Sequence, residues 1–233
     1  MTIDTETNSR WEPVKQMMAG APPVELGPSA AALAGDQPHE WLARLSAYKF
    51  AARMIGQNAR VLDVNCADGM GTWILHKECG SAQGIHPDHA AIETARRNWG
   101  EAGVVFHHGD ISSLREELFD AVALLNETQS IRDPDTWLAQ VEAAVAVRLK
   151  PYGVAVLAAV CDVWNQPELT TEQPPLRQRL GILFSQVFVF SRFGELIRAG
   201  RHLGADGLLI LACRNRAITR DTCGHDQAPS TDG

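Results

Sequence analysis

The sequence has 233 residues, of which 45% are hydrophobic and 21% charged, and this balance excludes a disordered or fibrous chain. The formal net charge is −7, from 21 basic and 28 acidic residues. An acidic balance argues against a nucleic-acid partner, because such binding depends on lysines and arginines that neutralise phosphates.

The sequence also argues against disulfides, metals and membranes. Its cysteines contain no C-x-x-C pair, which favours reduced thiols in a cytoplasmic compartment and predicts no metal site. No run reaches the roughly 18 apolar residues of a membrane span, so no membrane partner is predicted. The first residues lack the basic-then-apolar order of a signal peptide.

The chain opens with a segment rich in Pro, Ala and Gly, with an optional short helix at residues 11–18. Asp36 is a candidate N-cap for a helix that has Pro38 near its start and ends at Gly56. Beyond it, strands and helices alternate. The predicted strands are Arg60–Val64, Ala82–Ile85, Val104–His107, Ala121–Leu125, Gly153–Val160, Gln186–Phe190 and Leu208–Cys213. The predicted helices are Gly71–Glu78, His89–Trp99, Thr136–Arg148, Pro175–Leu183 and Arg192–Arg198.

Alternation of strands and helices is typical of a parallel sheet with helices on both faces. The run Val154–Val160 is apolar without alternation, as expected for a central strand covered on both sides. The connection between the last two strands, Arg198–Gly207, is too short for a full crossover helix. The sequence therefore predicts an α/β fold with a seven-stranded, mostly parallel sheet and an antiparallel last strand.

The segment Val61–Gly71, VLDVNCADGMG, is the most informative part of the chain. An apolar strand runs into a loop of small residues and then into a helix. Ligands of open α/β sheets bind outside the carboxyl ends of the strands, and a helix N-terminus there supplies free N–H groups. Small loop residues let a ligand approach the backbone. The alternative is a tight strand-to-helix turn that binds nothing.

This segment resembles the first motif of class I S-adenosylmethionine-dependent methyltransferases, an apolar strand followed by acidic-x-Gly-x-Gly-x-Gly. Three later segments resemble further parts of that family in the same order: Gly84–Asn98, Val104–Leu114 and Phe119–Gly153. The resemblance implies a Rossmann-like sheet, S-adenosylmethionine as cofactor and methyl transfer as the activity. The composition of the two ends predicts a flexible arm at 1–35 and a disordered tail at 215–233, which leaves a methyltransferase domain at 36–214.

The resemblance also implies roles for single residues. Asp63 would organise the loop and the methionine amino group, and Gly69 would lie where the cofactor approaches the backbone. Asp110, with the backbone of Ile111, would meet the adenine amino group. Asn126 would lie beside the methionine part and the acceptor. The alternatives are a turn residue for Asp110 and a strand-end cap for Asn126.

Several residues of the predicted cofactor site depart from the family pattern. Asn65 and Ala67 stand where the family usually has glycines. His86, followed by Pro87, stands where an acid usually accepts hydrogen bonds from the ribose hydroxyls, and a neutral imidazole offers one acceptor nitrogen. Asp88 is an alternative acceptor. These departures keep open a non-catalytic binding or interaction protein with a degenerate cofactor loop.

A third interpretation is an NAD(P)-binding oxidoreductase. That class needs G-x-G-x-x-G after the first strand, whereas this chain has only Gly69 and Gly71 there.

The acceptor is predicted to be a small molecule or a saccharide. The insertion after the fifth strand, Cys161–Leu183, is too short for a separate substrate domain, and the closing segment resembles methyltransferases found with bacterial surface-sugar assembly. Gln129-Ser130 stands where relatives often carry Glu-His, so no base is evident there. His202, or a neighbouring arginine, is the candidate catalytic residue that contacts the acceptor; the alternative is a solvated polar loop.

Overall fold

The computed structural model describes residues 24–114, 117–125, 137–139, 141–143, 148–160, 176–202 and 204–215. The helices are α1 Pro28–Asp36, α2 Pro38–Ile55, α3 Met70–Cys79, α4 His89–Trp99 and α5 Leu176–Leu183. The strands are β1 Ala59–Val64, β2 Gly80–His86, β3 Val105–His108, β4 Phe119–Leu124, β5 Leu149–Val160, β6 Phe184–Phe193, β7 Leu196–Ala199 and β8 Gly207–Asn215. Residues 137–139 and 141–143 are also helical. No helix in these ranges is long and apolar enough to cross a membrane.

The strands form one sheet in the order β3-β2-β1-β4-β5-β8-β6-β7. Strands β1 to β5 pair in parallel, and β8 pairs antiparallel with both β5 and β6. The predicted α/β fold, with a mostly parallel sheet and an antiparallel last strand, is confirmed. The described residues already contribute eight strands to this sheet, so the predicted number of seven is wrong.

The extra strand lies where a helix was predicted at Arg192–Arg198, and that prediction is wrong. Strand β6 continues to Phe193, turns through residues 194–195 and returns as β7, which pairs antiparallel with it. Gly194 has a φ of 56°, a left-handed conformation that suits a two-residue hairpin turn. Pairing with β6 thus overrides the helix propensity of the Glu-Leu-Ile-Arg-Ala run.

The start of the chain's described part also differs from the prediction. Asp36 is the last residue of α1, so it does not cap α2; the N-cap is Gln37, and its side chain makes no capping hydrogen bond. Pro38 stands in the first turn of α2, and Gly56 follows its end, as predicted. Helix α1 was not predicted, although its alanine-rich sequence suits a helix.

The core consists of apolar layers on the two faces of the sheet. On one face, helices α2 and α3 cover strand residues such as Val61, Ala123 and Val156. On the other face, Trp137 and Leu180 cover the alternate residues, including Leu62 and Leu124. Successive residues of a strand point to opposite faces, so the central strands are apolar on both sides, as predicted for β5.

The carboxyl ends of the parallel strands form one edge of the sheet, called here the carboxyl edge. The loops that follow β1, β2 and β3 leave the sheet at this edge. Because β8 runs antiparallel, its first residue, Gly207, pairs with Val160 at the end of β5. The connection between β7 and β8 therefore lies at the carboxyl edge too.

Candidate functional site

The loop of residues 65–69 joins β1 to α3 at the carboxyl edge. Asn65, Ala67 and Gly69 have φ angles of 60°, 49° and 80°, in the left-handed region that normally requires glycine. The Cys66 N–H donates to the Ile85 carbonyl at 3.1 Å, which ties the loop to β2. Asn65 and Ala67 therefore keep the backbone conformation that glycines would supply.

Asp63 lies beneath this loop and is fully buried. Its carboxylate accepts hydrogen bonds from the Thr72 hydroxyl at 2.6 Å and the Tyr48 hydroxyl at 3.2 Å. Burial raises the pKa of Asp63 to about 7, although both hydrogen bonds act in the opposite direction. The carboxyl group thus links β1 to helices α2 and α3 at the point where the loop begins.

His86 ends β2 and is half-buried. Its Nδ1 accepts a hydrogen bond from the Asp88 N–H at 3.0 Å, and burial lowers the pKa of the imidazole, while Asp88 acts to raise it. The neutral ring therefore carries its proton on Nε2 and presents an N–H donor there. A donor can bond a ribose hydroxyl oxygen, but it cannot accept the hydroxyl protons as an acid would.

Asp110 caps a short 3₁₀ turn, Ile111–Ser113, after β3. Hydrogen bonds from the Ser112 hydroxyl and the Ser112 N–H hold the pKa of Asp110 below its usual value. Arg148, which is 4% exposed, donates to the Ile111 carbonyl at 3.3 Å and also to the Leu114 carbonyl. The turn is thus fixed from both ends, with the Asp110 side chain on the surface.

A family model of known proteins matches the part of the chain that contains these residues. The family model described as "Methyltransferase domain" matches residues 61–153, which include the loop after β1, His86 and Asp110. Over these residues the chain is similar to methyltransferase domains.

Solved structures agree with the fold of the described residues. An S-adenosylmethionine-dependent methyltransferase from Thermotoga maritima, described as a possible histamine N-methyltransferase, is 15% identical, with a TM-score of 0.52. The match covers 76% of this chain and 91% of that one. WbdD is 16% identical with a TM-score of 0.51, over 86% of this chain and 47% of that one.

Two further solved structures match over shorter lengths. YjhP from E. coli is 23% identical with a TM-score of 0.38, and the match covers 48% of each chain. YcgJ from Bacillus subtilis is matched over 50% of its length. The chain therefore spans about half the length of these two relatives. No curated protein matches the chain.

The described residues fit S-adenosylmethionine in most respects. The loop of residues 65–69 has the left-handed backbone of a glycine motif, and the exposed Asp110 carboxylate stands beside the partly exposed Ile111. The departure is His86, whose hydrogen bond with Asp88 leaves a donor where the family has an acceptor. Among the described residues, no cluster of three or more His, Cys, Asp or Glu side chains could hold a metal ion.

Most of the residues predicted to bind the cofactor come together at the carboxyl ends of three adjacent strands, β3, β2 and β1. They are Asp63, Asn65, Ala67, Gly69, His86, Pro87, Asp110 and Ile111. Asn126 lies outside the described residues. His202 lies at the same edge but beyond β5, on the connection between β7 and β8.

Residues 24–27 contact the same loop, a feature that sequence reasoning missed. The Gly27 N–H donates to the Asp68 carboxylate at 3.1 Å, and burial raises the pKa of Asp68 although this hydrogen bond acts to lower it. Glu25 pairs with Arg97 at 2.9 Å and exchanges hydrogen bonds with Asn98. The segment before α1 therefore bridges the loop and the end of α4.

Sequence reasoning also missed Tyr48, Thr72 and Arg148 as supports of the site. Tyr48 and Thr72 hold Asp63, and Arg148 holds the turn after Asp110. Each contact joins elements that are far apart in the chain or that depend on the packing of a helix. One signal was available: Gly71 and Thr72 open a helix directly after an acid-bearing strand, which suggests a hydroxyl close to that acid.

Replacing Ala67 by glycine should stabilise the protein by about 1 kcal/mol. An alanine in the left-handed region costs about 1–2 kcal/mol, and the greater freedom of glycine in the unfolded chain offsets part of this gain. Urea unfolding measures the change. Asn65→Gly is the matched control and should change stability less, because asparagine tolerates this conformation. A loss of stability in Ala67→Gly would contradict the strained backbone.

Proposed function

We propose that the protein is an S-adenosylmethionine-dependent methyltransferase that acts on a small-molecule or saccharide acceptor. The observation that carries the proposal is the left-handed backbone at Asn65 and Ala67. These two residues, with His86 and Gln129-Ser130, were the reasons to consider a non-catalytic protein with a degenerate cofactor loop. A loop that keeps the glycine-type conformation removes the part of that argument that concerns Asn65 and Ala67.

The described residues have roles in binding and orientation. S-adenosylmethionine, when bound, supplies a methyl group activated by its sulfonium. The loop of residues 65–69, the N–H groups at the start of α3 and the turn at Asp110 would hold the cofactor at the carboxyl edge. Alignment of two reactants in this way is worth roughly 7–11 kcal/mol of a reaction barrier.

A short connection after β5 supports a small acceptor. Strand β5 ends at Val160 and α5 begins at Leu176, so only residues 161–175 separate them. A segment of this length is too short for a separate substrate domain. We also propose a cytoplasmic location, which the free thiols of Cys66, Cys79 and Cys213 support.

Calorimetric titration with S-adenosylmethionine and S-adenosylhomocysteine tests the proposed function. We expect both to bind, and we expect Asp110→Ala to weaken binding about tenfold, the effect of one lost hydrogen bond, with a small fall in Tm because the cap of the 3₁₀ turn is also lost. Glu101→Ala is the matched control, since Glu101 is an exposed acid that follows α4, at the opposite edge of the sheet. No heat and no thermal shift with the unaltered protein would favour the non-catalytic alternative.

His202 remains our candidate for the residue that contacts the acceptor. It is exposed, and its Nε2 lies 2.9 Å from the Ala199 carbonyl oxygen. A carbonyl only accepts hydrogen bonds, so Nε2 carries the proton and Nδ1 is the ring atom that can receive one. With a hydroxyl acceptor, His202→Ala should lower turnover about 10²-fold and leave the Kd of S-adenosylmethionine unchanged. Unchanged turnover would remove His202 from the site.

A further inference from the structure

Residues 24–37, called here the strap, consist of an irregular start, helix α1 and the junction to α2. The strap lies between two anchors. At the first, Gly27 contacts Asp68 in the loop after β1. At the second, just beyond the strap, Glu40 of α2 contacts Arg192, which lies beside the start of β8. Both anchors are therefore at the carboxyl edge.

The strap is long enough to pass the ends of the central strands. Four steps separate β1 from β6 in the order β1-β4-β5-β8-β6, and at about 4.8 Å a step the anchors are roughly 19 Å apart. Helix α1 has nine residues and a length of about 14 Å, and the residues on either side supply the rest. Glu40 also borders a cavity with Leu125 and Ala159, at the ends of β4 and β5. The strap therefore runs along the carboxyl edge, next to the loop of residues 65–69.

The Asp68 carboxylate joins the strap to this loop at the first anchor. It accepts a hydrogen bond from the Gly27 N–H at 3.1 Å and another from the N–H of Met70, which begins α3. Asp68 is 9% exposed, and a Cβ added at Gly27 would lie only 3.1 Å from the Asp68 Cβ. Trp99 Nε1 donates to the Asp68 carbonyl at 3.2 Å. The strap is thus in direct contact with the loop, and an indole lies beside the contact.

The other contacts of the first anchor are at the surface. Arg97 pairs with the Glu25 carboxylate at 2.9 Å, and the Asn98 side chain exchanges two hydrogen bonds with the Glu25 backbone. Both side chains of the ion pair are more than half exposed, and such pairs contribute little stability. In the second anchor, Glu40 and Arg192 are only 29% and 15% exposed. The first anchor is therefore the weaker of the two.

One residue, Gln37, separates α1 from α2 and provides a hinge. Its φ of −139° and ψ of 63° are not helical, and its side chain makes no capping hydrogen bond. Pro38 has no N–H, so it cannot continue the hydrogen bonds of α1 into α2. Residues at the ends of elements commonly absorb the change in backbone angles when a segment opens. Rotation at Gln37 would move α1 while α2 stays in place, because Ala43 and Ala47 of α2 are buried.

We propose that the strap gates the exchange of S-adenosylmethionine: the first anchor opens, α1 rotates about Gln37, and the carboxyl edge becomes accessible. The inference rests on the proposed methyltransferase function and adds a conformational control of the same site. A gate must open both for entry and for exit, and it makes no contact with the ligand. A weaker first anchor therefore raises kon and koff together and leaves Kd unchanged. A segment that binds the ligand directly would change koff and Kd instead.

Stopped-flow binding of S-adenosylhomocysteine to the full chain, followed by tryptophan fluorescence, measures both rate constants. Asn98→Ala removes the two hydrogen bonds to the Glu25 backbone and should raise kon and koff about tenfold each. Alanine is a good helix former, so this substitution in α4 should not prevent folding. Glu93→Ala is the matched control: it removes an ion pair with Arg96 on the same helix, away from the strap, and should change neither rate.

A reversible lock tests the gate in the opposite direction. The Cβ added at Gly27 lies 3.1 Å from the Asp68 Cβ, close to the roughly 3.8 Å between the Cβ atoms of a disulfide. In the double variant Gly27→Cys/Asp68→Cys, oxidation should slow the release of bound S-adenosylhomocysteine about tenfold or more, and dithiothreitol should restore it. The oxidised and reduced forms have the same sequence, so the loss of the Asp68 carboxylate does not affect the comparison.

These measurements separate the outcomes. Unchanged kon and koff in Asn98→Ala, or equal release from the oxidised and reduced lock, overturns the gate. A rise in koff alone, with a weaker Kd, assigns residues 24–27 to the binding site itself and also overturns the gate. If S-adenosylhomocysteine fails to bind the unaltered protein, the proposed function fails together with the gate. Normal cofactor affinity with unchanged exchange rates removes only this inference.

Discussion

Replacing Gly71 by alanine should destabilise the protein by about 3 kcal/mol, although alanine normally stabilises a helix relative to glycine. A Cβ at this position would lie 2.1 Å from Cζ of Tyr48 and 2.4 Å from two further ring carbons. The Tyr48 ring is buried, so it cannot move aside without disturbing the packing of α2 on α3. Overpacking of this kind costs about 1–3 kcal/mol, and the loss of the hydrogen bond from Tyr48 to the buried Asp63 adds about 1–3 kcal/mol.

Urea unfolding measures this effect, with Gly181→Ala as the matched control. Gly181 lies inside α5, where an added Cβ would meet nothing within 4 Å, so this substitution should stabilise the protein by up to about 1 kcal/mol. A second comparison uses the Tyr48→Ala background, where the clash is absent and Gly71→Ala should cost little. If Gly71→Ala is equally damaging in both backgrounds, the contact with Tyr48 is not its cause.

The order of elements from β1 to β3 could be predicted from the sequence because its signals are local. Helix α4, His89–Trp99, was predicted with its bounds, since Asp88 caps its first turn and its apolar residues recur at helical spacing. The positions of β1 and β2 follow from short apolar runs bounded by turn residues. Patterns of this kind depend on a few neighbouring residues and need no knowledge of the rest of the fold.

Other features of the fold depend on partners that are distant in the chain. The β6–β7 hairpin forms because β6 extends beyond its predicted end and offers an edge for pairing, which helix propensity does not reveal. The fifth strand begins at Leu149 rather than at the predicted Gly153, and it contains an irregularity: Phe119 pairs with Leu149, but Ala121 pairs with Val154. Tyr152 is 83% exposed at this irregularity. Register shifts of this type are set by the neighbouring strand.

In the candidate site, too, features set by neighbouring residues could be predicted from the sequence, and features set by distant partners could not. The loop after β1 could be found from its small residues, but its left-handed backbone at Asn65 and Ala67 could not, because neither residue requires that conformation. The contact between Glu40 and Arg192 joins residues 152 positions apart, and no spacing pattern indicates it. Contacts of this kind follow from the packing of α2 against the sheet, and so they become visible only in the folded structure.

The stability of the protein should fall as pH rises from about 4 to about 7, and Asp63→Asn should remove most of this dependence. Burial raises the pKa of Asp63 from about 4 in the unfolded chain to about 7 in the folded one. Between these values the folded state binds more protons than the unfolded state, so unfolding releases protons and a higher pH favours it. The contribution of the protonated carboxyl is complete below pH 4 and is lost as pH passes 7, a change of up to about 4 kcal/mol.

Urea unfolding at pH 5 and pH 8, at constant ionic strength, measures the change in the unaltered protein and in each variant. Asp120→Asn is the matched control: Lys150 holds the pKa of Asp120 below its usual value, so its contribution is constant over this range and is lost only at lower pH. The amide introduced by Asp63→Asn avoids the penalty for a buried charge, but its N–H₂ group carries two protons where the protonated carboxyl carries one, so it brings one more donor to the hydroxyls of Tyr48 and Thr72. Asp63→Asn should therefore be clearly destabilising at pH 5 and much less so at pH 8. If Asp63→Asn destabilises the protein by the same amount at pH 5 and at pH 8, Asp63 is already ionised at pH 5.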